Sequence, residues 1–267
     1  MDPLLLLLAL PIGILVGLGA SLVGLTAWPL VVPVLLIVGY SPQESILTSL
    51  VVDLVNALIV TSFYRSRTSL GFDTALSLRL GILALIPAAA AAVIVFPILG
   101  LYAEAFKGGS GMINLVLGSL FVIQAFRTKE DNDEHGDAGG STNRWFIVYV
   151  FCLVQGLVTG IIGIGGAMNI VIVLLIATSL RTRRAVGTAV AATSILLVGM
   201  VSVYLILFAF VVPTLDLIVL ISSVASLTCV VGLLKSEQIS DRWLRLTIGL
   251  VVLAAAVFSI IQVASLL

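Results

Sequence analysis

One stretch limits what this chain can become: Gly156-Leu157-Val158-Thr159-Gly160-Ile161-Ile162-Gly163-Ile164-Gly165-Gly166, in the middle of an apolar run from Trp145 to Ser179. A single membrane-spanning helix needs about 20 apolar residues, and this run is much longer. The glycines cluster where the run has to break. Glycine tolerates sharp turns and lets a backbone or a ligand come close. Inside a bilayer, non-helical backbone survives only where it is buried in protein or faces a watery cavity. The cluster therefore reads in two compatible ways. It is a break that builds a substrate site, or a surface of small residues for close helix packing of the GxxxG kind.

Composition fixes the class. The chain is 61% hydrophobic and 10% charged, whereas soluble domains carry about 25% charged residues. The expected fold is an all-α polytopic integral membrane protein. The formal net charge is zero, so nothing points to nucleic acid. Cys152 and Cys229 lie in apolar runs without metal-ligand spacing and read as small buried hydrophobes. His135 reads as a solvated loop residue. The N-terminus lacks a basic n-region and an A-x-A cleavage site, so the first apolar run is expected to be retained.

In order, the chain has a broken run from Met1 to Gly39, interrupted at Gly24-Leu25-Thr26-Ala27-Trp28-Pro29. Spans follow over 46–63, 80–99 (with Pro87 as a kink) and 112–126. The polar segment 128–144, with Glu130, Asp131, Asp133, Glu134 and Asp137, reads as a tether between halves. The broken run 145–179 and spans over 185–211, 215–234 and 243–267 complete the chain. Shifting the first half by 139 positions places Gly17 on Gly156, Gly24 on Gly163, and Thr48-Ser49-Leu50 on Gly187-Thr188-Ala189. The organisation is thus two repeats, 1–127 and 145–267, joined by the linker 128–144.

The positive-inside rule tests the topology. If each broken run is one kinked span, the basic residues divide almost evenly between the two sides. If each is a hairpin returning to its starting side, every basic residue except Lys107 falls on one side. The hairpin arrangement makes the halves inverted-topology repeats, each a broken, re-entrant hairpin plus three further transmembrane helices. It places both termini outside a prokaryotic plasma membrane and the acidic linker in the cytoplasm. The arm Pro29–Gly39 is about 16 Å long at 1.5 Å per residue, about half the hydrocarbon thickness. The hairpin tips therefore fall near mid-membrane, as in many secondary transporters.

A helix N-terminus at such a tip favours an anion. The candidate substrate residues are Thr26, Gly163, Gly165, Gly166 and Asn169 at the tips, with Thr48, Ser49 and Thr188 at the starts of the following helices. The hydroxyls also suit N-caps, and Asn169 could equally cap the broken helix. Gln155 and Thr159 either line the path or satisfy backbone. Asp53 is the only acidic residue well inside an apolar span, with Asn56 at i+3 on the same face. A carboxylate at this depth usually faces a cavity or a partner, so Asp53 and Asn56 are candidates for coupling to H⁺ or Na⁺. The counterpart of Asp53 in the second half is Ala192. No catalytic constellation, metal-ligand pattern or cofactor motif is present, so the chain does not read as an enzyme.

These motifs resemble the sulfite exporter TauE/SafE family of membrane permeases. The resemblance rests on Gly156-x-x-x-Gly160-x-x-Gly163-x-Gly165-Gly166 followed by Ala185-Val186-Gly187-Thr188-Ala189, with a weaker copy in Pro33-Val34-Leu35-Leu36-Ile37-Val38-Gly39 and Thr48-Ser49-Leu50. It covers nearly all of the chain except the linker. It implies export of sulfur-containing anions such as sulfite, sulfoacetate or related organosulfonates, coupled to an ion gradient. Leu25-Thr26-Ala27-Trp28-Pro29 departs from the Gly-rich first tip of the family. Trp28 would fill space that glycine leaves open, which keeps a carboxylate or another small anion open as substrate. The expected partners are a small anion, a coupling ion and the bilayer; a homo-oligomer is compatible with the sequence. Two other readings stay open, a proton- or sodium-coupled cation or metal transporter resting on Asp53, and a membrane scaffold without substrate.

Overall fold

The computed structural model describes residues 3–24, 26–66, 72–99, 142–178, 180, 182–208 and 214–236, with isolated helical positions over 112–123 and 246–261. Eight helices and no strands are found among the described residues: α1 Pro3–Val23, α2 Trp28–Val38, α3 Pro42–Ser66, α4 Thr74–Val95, α5 Thr142–Ile162, α6 Ala167–Ala177, α7 Thr182–Leu207 and α8 Leu215–Ser236. The expected spans over 112–126 and 243–267, and most of the linker, lie outside the described residues. Five helices, α3, α4, α5, α7 and α8, are long and apolar enough to cross a membrane.

Both apolar runs break where the glycines predicted. α1 ends before Gly24 (φ 68°), and α5 ends before Gly163 (φ 81°). Left-handed backbone is readily tolerated only by glycine, so both helices stop at positions 139 residues apart. α2 and α6 each have 11 residues, about 16 Å of helix. Pro29 sits in the first turn of α2, where its missing N–H costs nothing. Pro87 lies inside α4 as expected.

Packing between the halves is reciprocal. α1 lies along α8, and α5 lies along α4. α4 also packs on α7, and α8 on α3, while α3 and α7 cross at the centre. Each short arm rests on the long helix that follows it, α2 on α3 and α6 on α7.

Small residues permit the tightest of these contacts. A Cβ on Gly156 would lie 2.1 Å from the Ala84 carbonyl oxygen, and one on Gly160 2.2 Å from that of Ala88. A Cβ on Gly17 would lie 2.0 Å from Thr228 Oγ1 and 2.2 Å from the Ala225 carbonyl oxygen. Gly17 and Gly156 thus play the same part against reciprocal partners. The two readings of the glycine cluster divide by residue: Gly156 and Gly160 let α5 approach α4, and Gly163 to Gly166 make the break.

Gly156→Ala should lower the stability of the detergent-purified protein by about 1–3 kcal/mol, the usual cost of overpacking, because the obstructing atom is backbone. Leu157→Ala, on the 45% exposed neighbour, should stay within about 0.5 kcal/mol. Thermal unfolding of the two variants checks this; equal midpoints would contradict the packing.

Candidate functional site

The two breaks meet. The indole N–H of Trp28, at the start of α2, donates to the carbonyl oxygen of Ile162, the last residue of α5, at 2.5 Å. Trp28 is fully buried and packs with Val32, Leu36 and Ile164. It does fill the space its bulk implied. It also caps a helix end whose carbonyls would otherwise lack partners.

The second break is held by a ladder of polar side chains. Asn169 Nδ2 donates to Gln155 Oε1 at 2.7 Å. Gln155 Nε2 donates to Thr159 Oγ1 at 3.2 Å. The Thr159 hydroxyl lies 2.6 Å from the Ile164 carbonyl oxygen and 2.9 Å from that of Gln155, with one proton to share. Gln155 and Thr159 therefore satisfy backbone, and Asn169 holds α6 to α5.

The first break uses an acidic side chain instead. Asp53 Oδ1, from α3, accepts a hydrogen bond from the backbone N–H of Ala27, the N-cap of α2. A carboxyl group of the chain itself thus occupies the anion-favouring end of α2. At the start of α6 the N-cap is Gly166, in left-handed backbone (φ 82°).

Beside Asp53 lies a small cavity lined by Ala20 and Gly24 at the end of α1, Thr26 in the break, Asp53, Asn56, Ala57 and Val60 of α3, Ala167 at the start of α6, and Val190, Thr193 and Leu197 of α7. Its volume is about 20 Å³, enough for on the order of one water. Asp53 Oδ2, Asn56 Oδ1 and Nδ2, and Thr193 Oγ1 are buried without a hydrogen-bond partner. Buried polar groups are ordinarily satisfied, so four such atoms around one cavity mark a place built to hold something. Gly165 closes one side: its Cβ would sit 3.1 Å from Asp53 Oδ2 and 3.1 Å from Thr26 Cγ2.

Of the residues expected at the site, Thr26, Asp53 and Asn56 line this cavity and Gly165 abuts it. Ser49 lies one turn from Asp53 on α3, buried, its hydroxyl unpartnered, but it is not part of the cavity wall. Gly163 and Gly166 shape the turn and pack on Ile46 and Gln155. Thr48 and Thr188 do not reach the cavity. Thr48 Oγ1 lies 2.8 Å from the Glu44 carbonyl oxygen and 2.6 Å from Thr214 Oγ1, just before α8. Thr188 Oγ1 accepts from the N–H of Asp73, the N-cap of α4, at 3.2 Å.

Thr193 was not singled out from the sequence. It directly follows Ala192, the counterpart of Asp53, and with Val190 and Leu197 it forms an i, i+3, i+7 stripe on α7. Among the described residues no group of three or more His, Cys, Asp or Glu could hold a metal ion.

Five membrane-length helices, two broken arms meeting at a buried polar cavity and reciprocal halves define a polytopic membrane protein. The chain belongs to the sulfite exporter TauE/SafE family, whose model matches residues 9–263. It is thereby a membrane transporter. No curated protein and no solved structure matches the chain.

Trp28→Phe keeps the aromatic bulk but takes the indole donor from the part-buried Ile162 carbonyl, a loss of about 1 kcal/mol. Thermal unfolding of the purified protein measures it; an unchanged midpoint would show that the indole hydrogen bond does not brace the break.

Proposed function

We propose that this chain is a secondary transporter that exports small sulfur-containing anions such as sulfite or organosulfonates. The anion binds at mid-membrane between the two broken-helix tips. The observation that carries this reading is the cavity where the tips meet, walled by the start of α6 and by buried polar atoms without partners. Free N–H groups and the positive end of a helix favour an anion, and broken helices at the midplane are a common way to build such a site. The family supplies the sulfur chemistry.

Substrate contacts come from the backbone around Gly165 and Ala167, with Thr26 at the opposite tip. Ser49 joins only if α3 shifts by part of a turn. The cavity is too small for an organosulfonate as it stands, so this conformation is occluded and substrate entry requires the arms to part. Two inverted halves, with both termini outside a prokaryotic plasma membrane and the linker inside, supply the alternation. An inside-negative potential drives the anion outward.

Asp53 imposes a condition. Two like charges about 4 Å apart repel by about 4 kcal/mol at an effective dielectric constant of 20. A substrate anion in the cavity therefore requires the carboxylate to be neutralised, which makes Asp53, with Asn56 beside it, the coupling position.

Gly165→Val should abolish efflux of sulfite from proteoliposomes while the protein still elutes as a single folded species. The added methyl groups enter the cavity against Asp53 and Thr26. Normal flux in this variant would remove the site from between the tips.

A further inference from the structure

The cavity has two electrostatic ends. α6 brings its N-terminus to the wall at Ala167, while α1 brings its C-terminus through Ala20 and Gly24. The C-terminal end of a helix carries partial negative charge and free carbonyls. Asp53 Oδ2, Asn56 Oδ1 and Thr193 Oγ1 belong to the same wall, all on residues at least nine-tenths buried and all unpartnered. Among the described residues Asp53 is the only titratable or charged one in the wall, and no basic side chain balances it there. A proton on Asp53 Oδ2 donates one hydrogen bond and so serves at most one of the oxygens Asn56 Oδ1 and Thr193 Oγ1. A small hard cation takes oxygen ligands from carboxylate, amide carbonyl and hydroxyl together.

We propose that Asp53 Oδ2, Asn56 Oδ1 and Thr193 Oγ1 form a Na⁺ site spanning the two halves, with Asp53 and Asn56 from α3 of the first and Thr193 from α7 of the second. The site deepens the transporter reading and rests on it for its role. Na⁺ on Asp53 turns repulsion of the incoming anion into attraction, so the two are carried together. A sulfite dianion accompanied by one Na⁺ still moves net negative charge, so an inside-negative potential still favours export. Because one ligand comes from the opposite half, the ion also ties α3 to α7 while bound.

The test is thermal stability of the detergent-purified full chain in NaCl against choline chloride at fixed ionic strength and pH, with and without sulfite. The variants are Asp53→Asn and Thr193→Val. Asn at position 53 keeps an acceptor for the Ala27 N–H, and Val at 193 keeps the shape of Thr while removing an unpartnered hydroxyl, so both should fold. The expected result is a saturable, Na⁺-specific rise in Tm of about 5 °C or more at 100 times Kd, lost in both variants. No Na⁺-specific rise overturns the site. A rise that persists in both variants overturns it too, as does stabilisation that follows pH alone. Sulfite stabilisation without a Na⁺ effect would leave the transporter reading standing and remove the Na⁺ site. Na⁺ stabilisation with no response to any sulfur anion would do the reverse.

Discussion

A backbone break inside a bilayer must find its own hydrogen-bond partners, because no water is there to supply them. The two breaks of this chain meet that demand by different chemistry. The second is closed by neutral groups: Asn169, Gln155 and Thr159 run from one carbonyl to the next. The first is closed by the Asp53 carboxylate, which accepts from Ala27. Trp28 then joins the breaks by donating to Ile162. The Asp53 side chain occupies the start of α2, and its counterpart Ala192 has no such group to offer. The ladder residues Gln155, Thr159 and Asn169 likewise fall on Val16, Ala20 and Leu30, so the asymmetry at the centre is spread over several positions.

Much of the architecture was legible in the sequence, because a bilayer admits few solutions. The positions of both breaks could be read from Gly24 and Gly163. So could the shortness of the second arms, since a glycine break within an apolar run leaves only so much chain. Helix ends were less legible. α4 begins at Thr74 rather than near Leu80, because Asp73 caps it through Leu76 N–H. α7 begins at Thr182. Apolar composition marks the hydrocarbon-facing length of a helix, and polar turns at either end extend beyond it.

The site was legible only in part, and for a different reason. Asp53 stands out because charge at that depth is rare, and Asn56 follows by helical spacing. Hydroxyls carry no such signal. Thr48, Thr188 and Thr193 look alike along the chain. The first two are consumed by contacts at the starts of α8 and α4, while the third is left unpartnered in the cavity. Which hydroxyl is spent on structure depends on which helix end happens to lie opposite. That is settled by the crossing of one half against the other, and local spacing does not contain it.

The reciprocal packing has a consequence for how the protein is made. α1 is synthesised before α2 to α7, yet the helix it lies along is α8. α4 likewise waits for α5. The close-packing face of Gly17 thus stays without its partner while the six intervening helices are synthesised and inserted. A half-made molecule presents that bare small-residue face to lipid, to the insertion machinery or to another copy's α8. Order of synthesis and order of packing therefore differ, and the contact that Gly17 makes closes late.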